Sequence, residues 1–158
     1  MMYPTQVKIL LVEDESSIRT LLRIFLESLG CVVIEAKNGR EGLKRYQELP
    51  VDAVISDIYM PEMNGLELIK AIHHDDPMAV IISMSADPEQ LSLARDLGAQ
   101  KTITKPFDLD EWRGVLDWIR QSKSIGRSMF APPKFKAFKN KLAVWRRHDL
   151  PQIPLQTA

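Results

Sequence analysis

The sequence predicts an α/β fold in which helices cover both faces of a doubly wound parallel sheet. Three observations carry this expectation. Short, continuous apolar runs rich in β-branched residues recur along the chain, as in VKILLV (7–12) and AVIISM (79–84). Runs that are continuous rather than alternating have the composition of strands buried on both faces, which occur in parallel sheets. Between them lie stretches with apolar residues at three- and four-residue spacings, the pattern of amphipathic helices. Ionisable or hydroxyl residues stand where the runs end, at the edge where open α/β sheets bind ligands.

Residues 7–12 form the first expected strand, closed by Glu13 and Asp14. A helix over 15–29 follows, with Ile18, Leu21, Leu22, Phe25 and Leu29 on one face and Gly30 suited to its C-terminal cap. Residues 31–36 make the second strand, and Asn38-Gly39 turns the chain into a short helix carrying Leu43 and Tyr46, stopped by Pro50. The third strand begins at Val51 and ends at Asp57, where Pro61, Asn64 and Gly65 break it. A third helix carries Leu66, Ile69 and Ile72 and closes on His73-His74-Asp75-Asp76 before Pro77. That histidine and aspartate cluster looks metal-like, but its place predicts a solvated helix end. Residues 79–84 are the fourth strand, and a helix over 88–97 opens with Pro88, a good first-turn residue, and ends at Gly98. Residues 100–104 are the fifth strand, followed by Lys105-Pro106-Phe107 and a helix over 109–121 with Asp108 as N-cap. Met60 and Met63 are expected to pack locally around the turn after Asp57. Five such βα units with right-handed crossovers leave few topologies, and the flavodoxin-like order 2-1-3-4-5 is the natural one.

At 158 residues the chain suits one domain plus an extension. No apolar run approaches the roughly 18 residues of a membrane span. The start MMYPTQVK leads straight into a strand, so no signal peptide is expected, and Cys31, the only cysteine, excludes an internal disulfide. Both features predict a reducing, cytoplasmic setting, with Cys31 as a small buried hydrophobe. The formal net charge of zero hides a split: residues 1–120 hold 13 Lys and Arg against 20 Asp and Glu, and residues 121–158 hold 8 against 1. We therefore divide the chain into a domain over 1–121 and a linker with basic tail over 122–158. The tail places Phe135, Phe138, Leu142 and Trp145 at helical spacing among Lys136, Lys139, Lys141, Arg146 and Arg147. That pattern fits a helix that binds a protein partner or a membrane surface, or one that folds back on the acidic domain. It is too short for a usual DNA-binding output domain, so nucleic acid is disfavoured as a partner.

With strands 1 and 3 adjacent, the carboxylates of Glu13, Asp14 and Asp57 should converge. Clustered carboxylates repel unless a proton or cation neutralises them. An all-oxygen set with open positions suits Mg²⁺, which shares its shell with water and phosphate. Lys105 and the Ser85 hydroxyl could then hold a phosphoryl group while Asp57 attacks phosphorus to give an aspartyl phosphate. Each residue alone has a plain structural explanation, such as helix starts, turns and solvated ends. All of them at matching strand ends point to one site.

These residues make the sequence resemble the receiver domain of two-component response regulators, of the single-domain, chemotaxis-regulator-like kind. The matching residues are Glu13-Asp14 in LLVED, Asp57 in DIYMPEMNG, Ser85-Ala86 in SMSA and Lys105-Pro106 in TKPF, and the likeness spans about residues 7–121. The resemblance implies a phosphoacceptor at Asp57, and Mg²⁺ held by Glu13, Asp14, Asp57 and the backbone carbonyl of Tyr59. It also implies phosphoryl binding by Ser85 and Lys105, and a cis Lys105–Pro106 peptide. Its partners would be a histidine kinase or phosphotransfer protein upstream and a protein target downstream. The domain would catalyse only its own phosphorylation and dephosphorylation. Two positions are distinctive. Thr102 stands three residues before the lysine, where receivers usually carry Tyr or Phe, so output through the fourth helix, fifth strand and fifth helix should be muted. The ring of Tyr59, at the mouth of the site, should slow attack by water.

Other readings are a phosphorylation-independent scaffold acting through the tail, a Mg²⁺-dependent phosphohydrolase with an aspartate nucleophile, and a flavin-binding protein. Such hydrolases commonly place a second Asp two residues after the nucleophile, where this chain has Tyr59. The EDESS turn lacks the hydroxyl- and glycine-rich phosphate loop of the flavin binders.

Overall fold

The structure, a computed structural model, describes residues 6–125. The expected basic helix of the tail lies outside the described residues. Five strands, β1 (Lys8–Val12), β2 (Val32–Ala36), β3 (Ala53–Asp57), β4 (Ile81–Ser85) and β5 (Lys101–Thr104), alternate with five helices. The helices are α1 (Ser16–Ser28), α2 (Gly39–Glu48), α3 (Gly65–Asp75), α4 (Pro88–Leu97) and α5 (Leu109–Ile125). All strand pairs are parallel and the order is β2-β1-β3-β4-β5, as expected.

Successive side chains of a strand point to opposite faces, so β1 feeds two cores. Ile9 and Leu11 pack with Leu22 and Leu26 of α1 and with Trp112, Val115, Leu116 and Ile119 of α5. Leu10 and Val12 pack with Leu68, Ile69 and Ile72 of α3 and with Leu91 and Ala94 of α4. The second core also collects Leu43 and Tyr46 of α2 and both Met60 and Met63. Cys31 is buried in the first. Most strands begin a residue or two later than the apolar runs suggest. Val7, Val51, Ala79 and Val80 are buried but precede the ladders, because apolar composition reports burial and not strand pairing.

Three expectations need correction. Leu21 is 50% exposed, as Ile24 is at 56%, because α1 turns Leu22 and Leu26 inward with Ile18, Phe25 and Leu29 beside them. The α5 helix continues past Gln121 to Ile125, so the first residues of the expected linker are helical. Tertiary contacts override their composition: Lys123 Nζ donates to Asp52 Oδ2 at 3.0 Å and to the Gln6 carbonyl at 3.3 Å. His73 is not solvated but buried. Its Nε2 lies 3.0 Å from the Gly98 carbonyl at the end of α4. Gly98 holds φ +122°, and a Cβ there would strike the His73 ring, so this glycine lets α3 and α4 close. His74 and Asp75 alone are exposed.

Burial lowers the His73 pKa below the ordinary imidazole value. The folded protein therefore holds His73 neutral at a pH where the unfolded chain takes up a proton. Its contribution to stability is full above about pH 6.5 and is lost as pH falls below it, at no more than about 1.4 kcal/mol per unit. His73→Gln should flatten the acid limb of a denaturant-unfolding pH series between about pH 7 and 5. An unchanged limb would contradict the assignment.

Candidate functional site

The carboxyl edge of the sheet is assembled by local rules. β1 ends where Glu13 N–H donates to the Ala36 carbonyl at 3.1 Å, and the chain turns into α1. β3 ends at Asp57, and the loop after it is pinned by glycines. Gly65 N–H donates to the Ile58 carbonyl at 2.8 Å, and Gly39 N–H donates to the Met63 carbonyl at 3.1 Å. A Cβ at Gly65 would collide with the Asp57 carbonyl, so α3 begins directly against the strand end. Asn64 starts α3 with a capping box: its Oδ1 accepts from Glu67 N at 2.9 Å, and Glu67 Oε2 accepts from Asn64 N at 2.9 Å. Glu62 alone among the described non-glycine residues takes a positive φ, +66°. The left-handed residue of this loop is therefore neither Asn64 nor Gly65.

Parallel pairing of β1 with β3 places Glu13, Asp14 and Asp57 together, with one carboxylate oxygen of each within 4.8 Å of the others. Glu13 and Asp57 are buried, and Asp14 faces solvent. Lys105, which follows β5, reaches across to them: its Nζ lies 2.8 Å from Glu13 Oε2 and 3.0 Å from Asp57 Oδ1. The Lys105–Pro106 peptide is cis. Burial pushes the pKa of both Asp57 and Glu13 above the ordinary carboxylate range, against the lowering effect of Lys105. Burial alone would depress Lys105, but its contacts to Glu13 and Asp57 outweigh it and raise its pKa.

Ser85 ends β4, one residue past Met84, the register partner of Asp57. It is buried, and its Oγ accepts from Asp87 N at 3.1 Å. Tyr59 lies two residues past Asp57 and is 58% exposed. The Tyr59 hydroxyl donates to Asp87 Oδ2 at 2.9 Å, tying the β3–α3 loop to the N-cap of α4. This bond raises the Tyr59 pKa and lowers that of Asp87. Thr102 on β5 is also engaged, since its Oγ1 accepts from Arg95 Nη1 of α4 at 2.7 Å. Three polar residues that the sequence did not single out thus matter here. Asp87 and Arg95 bond to residues that it did, and Arg19 of α1 donates to the Glu13 carbonyl at 2.7 Å. Their roles depend on loop geometry and carry no motif. The signal that could have found them is proximity: Asp87 stands two residues past Ser85, and Arg19 just over a turn past the acidic pair.

The donor set fits a divalent cation. Three carboxylates and one ammonium leave two negative charges, and every carboxylate oxygen is an acceptor, which favours a hard, oxygen-loving ion such as Mg²⁺. No second group of three or more metal-ligating side chains is found among the described residues. No described helix is long and apolar enough to cross a membrane.

A family model for the response regulator receiver domain matches residues 9–117. The chemotaxis protein CheY of Thermotoga maritima is 42% identical over 103 residues, which are 63% of this chain and 86% of that protein. A probable transcriptional regulatory protein of a Picosynechococcus strain is 38% identical over 116 residues, 68% of this chain and 46% of that protein. The chain thus spans about half the length of the transcriptional regulatory proteins it matches. The response regulator TrrA of Thermotoga maritima, solved in complex with Mg²⁺ and a beryllium fluoride, superposes with a TM-score of 0.68 at 34% identity. That match covers 72% of this chain and 99% of that one.

Asp57→Asn should stabilise the metal-free protein near neutral pH, with the advantage shrinking as pH falls. The folded state keeps a proton on Asp57 to higher pH than the unfolded chain does. This carboxyl therefore contributes full stability below the ordinary value and loses it as pH rises through the raised one, a loss that Asn does not suffer. Thermal unfolding with chelator between about pH 4 and 8 checks this, and parallel profiles for the two proteins would contradict it.

Proposed function

Because the chain belongs to the response regulator receiver family, we propose that it is a phosphorylation-controlled switch that accepts a phosphoryl group on Asp57. The observation that carries this is the meeting of Asp57 with Glu13, Asp14 and Lys105 at the carboxyl edge. An Asp57 carboxylate oxygen attacks phosphorus in line, forming the aspartyl O–P bond as the donor's P–N bond breaks. The imidazole of a kinase or phosphotransfer protein leaves with the bonding pair and takes a proton. Lys105 Nζ, already 3.0 Å from Asp57 Oδ1, offers a cation to the charge that builds on the transferring oxygens. Ser85 supplies a hydroxyl to one of those oxygens, and Glu13 and Asp14 would hold Mg²⁺ with Asp57 and the Tyr59 carbonyl. When bound, that ion neutralises phosphoryl charge and orients the group for displacement. Hydrolysis of the acyl phosphate resets the switch, and the exposed Tyr59 ring, hydrogen bonded to Asp87, screens the site from water. The chain turns over no other substrate. Its setting is the cytoplasm, with a histidine kinase or phosphotransfer protein upstream and a protein target downstream.

Intact mass after incubation with acetyl phosphate and Mg²⁺ tests the reading. The wild type should gain one phosphoryl group and Asp57→Asn none. A folded wild type that gains nothing would overturn the switch and favour a scaffold acting through residues 122–158.

The place of the usual strand-5 aromatic is taken by Thr102, tied by Arg95 to α4. We expect little change in amide exchange across α4, β5 and α5 when the protein is loaded with Mg²⁺ and beryllofluoride. A large change there would refute muted output from this face.

A further inference from the structure

Arg19 lies in the first turns of α1 and makes two kinds of contact. Its Nη1 donates to the Glu13 carbonyl at 2.7 Å and, more weakly, to the Asp14 carbonyl at 3.4 Å. Its Nε faces Glu35 Oε1 on β2 at 3.4 Å, a carboxylate that Arg23 shares through Nε at 3.4 Å. The side chain is 19% exposed. As an ion pair near the surface the Glu35 contact is weak. The carbonyl contacts carry more meaning.

Those two carbonyls belong to the peptide groups on either side of the Asp14 Cα. Peptide groups are planar, so fixing both carbonyl directions fixes the two soft dihedrals between them. The aim of the Asp14 Cα–Cβ bond is then fixed as well. This matters because the Asp14 carboxylate is exposed, and no hydrogen bond among the described residues holds it. Its place beside Glu13 and Asp57 is set by the backbone, which the guanidinium holds on one side and the Glu13 N–H to Ala36 carbonyl bond on the other. Glu13 is steadied from the other side, where its Oε1 accepts from Glu15 N at 3.2 Å.

We propose that Arg19 is a positioning residue for the divalent-cation site: it clamps the β1–α1 turn so that Glu13 and Asp14 present their carboxylates to Asp57 before the ion arrives. The proposal rests on the receiver reading above and adds how its ligand set is preorganised. The guanidinium reaches the carbonyls through Nη1 and Glu35 through Nε, two donors held apart on one rigid plane, so the single nitrogen of a lysine could replace part of the clamp but not all of it.

The test is thermal unfolding of the full chain against MgCl₂ at constant ionic strength, for wild type, Arg19→Met, Arg19→Lys and Glu35→Gln. Loss of a group that orients metal ligands typically weakens binding at least roughly tenfold. Arg19→Met should therefore need about ten times more Mg²⁺ for its half-maximal shift. Arg19→Lys should fall between it and wild type, and Glu35→Gln should stay near wild type, since it leaves the carbonyl contacts in place. An Arg19→Met midpoint within about twofold of wild type would overturn the proposal and leave Arg19 a purely structural residue. Glu35→Gln weakened as much as Arg19→Met would also overturn it, by assigning the effect to the ion pair. If Arg19→Met does not fold, Arg19→Lys decides, and wild-type affinity there overturns the proposal. A wild type with no Mg²⁺ response overturns the receiver reading and this inference together, whereas a normal wild-type response with unaffected variants removes only the inference.

Discussion

Everything at the carboxyl edge depends on one ammonium group among buried carboxylates. Lys105 is 92 residues from Glu13 in sequence, yet its Nζ sits 2.8 Å from one acid and 3.0 Å from another. Two buried carboxylates this close to each other and to Asp14 would repel strongly in a medium of low dielectric constant. The lysine makes the arrangement tolerable without cancelling it. The raised pKa values of Glu13 and Asp57 record chiefly the cost of burying their charge, to which the neighbouring carboxylates add. A fold that keeps such a cluster gives up stability for chemistry, and the sheet bears that cost. Three of its central strands bury almost every residue, which holds the charged ends in register.

The fold was largely readable because a parallel sheet leaves a strong trace. Val54, Ile55, Ile81 and Ile82 are apolar on consecutive positions because both faces of their strands are covered. The candidate residues were nameable for the same reason: with the strand ends located, the polar residues at or just beyond them, Glu13, Asp14, Asp57, Ser85 and Lys105, stand out. What could not be read is set by rotation and by side-chain reach. The three- and four-residue spacing of α1 admits Leu21 as readily as Leu22, and only the packed structure selects which faces inward. His73 sits in a polar cluster, so composition alone places it in water, whereas the space opened by Gly98 receives its ring. The serine and lysine at 122 and 123 resemble linker residues until Asp52 and the Gln6 carbonyl are seen to hold the helix.

The loops around the site are cross-braced more than the motifs alone suggest. The β3–α3 loop is joined to α4 through Tyr59 and Asp87, and α4 is joined to β5 through Arg95 and Thr102. The α1 helix is joined to the acidic turn through Arg19. Each brace is a hydrogen bond between neighbouring elements, and the Tyr59–Asp87 and Arg95–Thr102 bonds are open to solvent, so water competes for them and they hold their elements only lightly.

The contact of Lys123 with Asp52 holds the last turn of α5 against the sheet. Asp52 precedes β3, so this anchor lies at the amino-terminal edge of the sheet, a full strand away from Asp57. Five residues of strand span about 16 Å. The described domain therefore has two charged poles on opposite edges of one sheet, the acidic cluster at one and the Lys123–Asp52 ion pair at the other, and load applied to the end of α5 enters the sheet at the edge remote from Asp57.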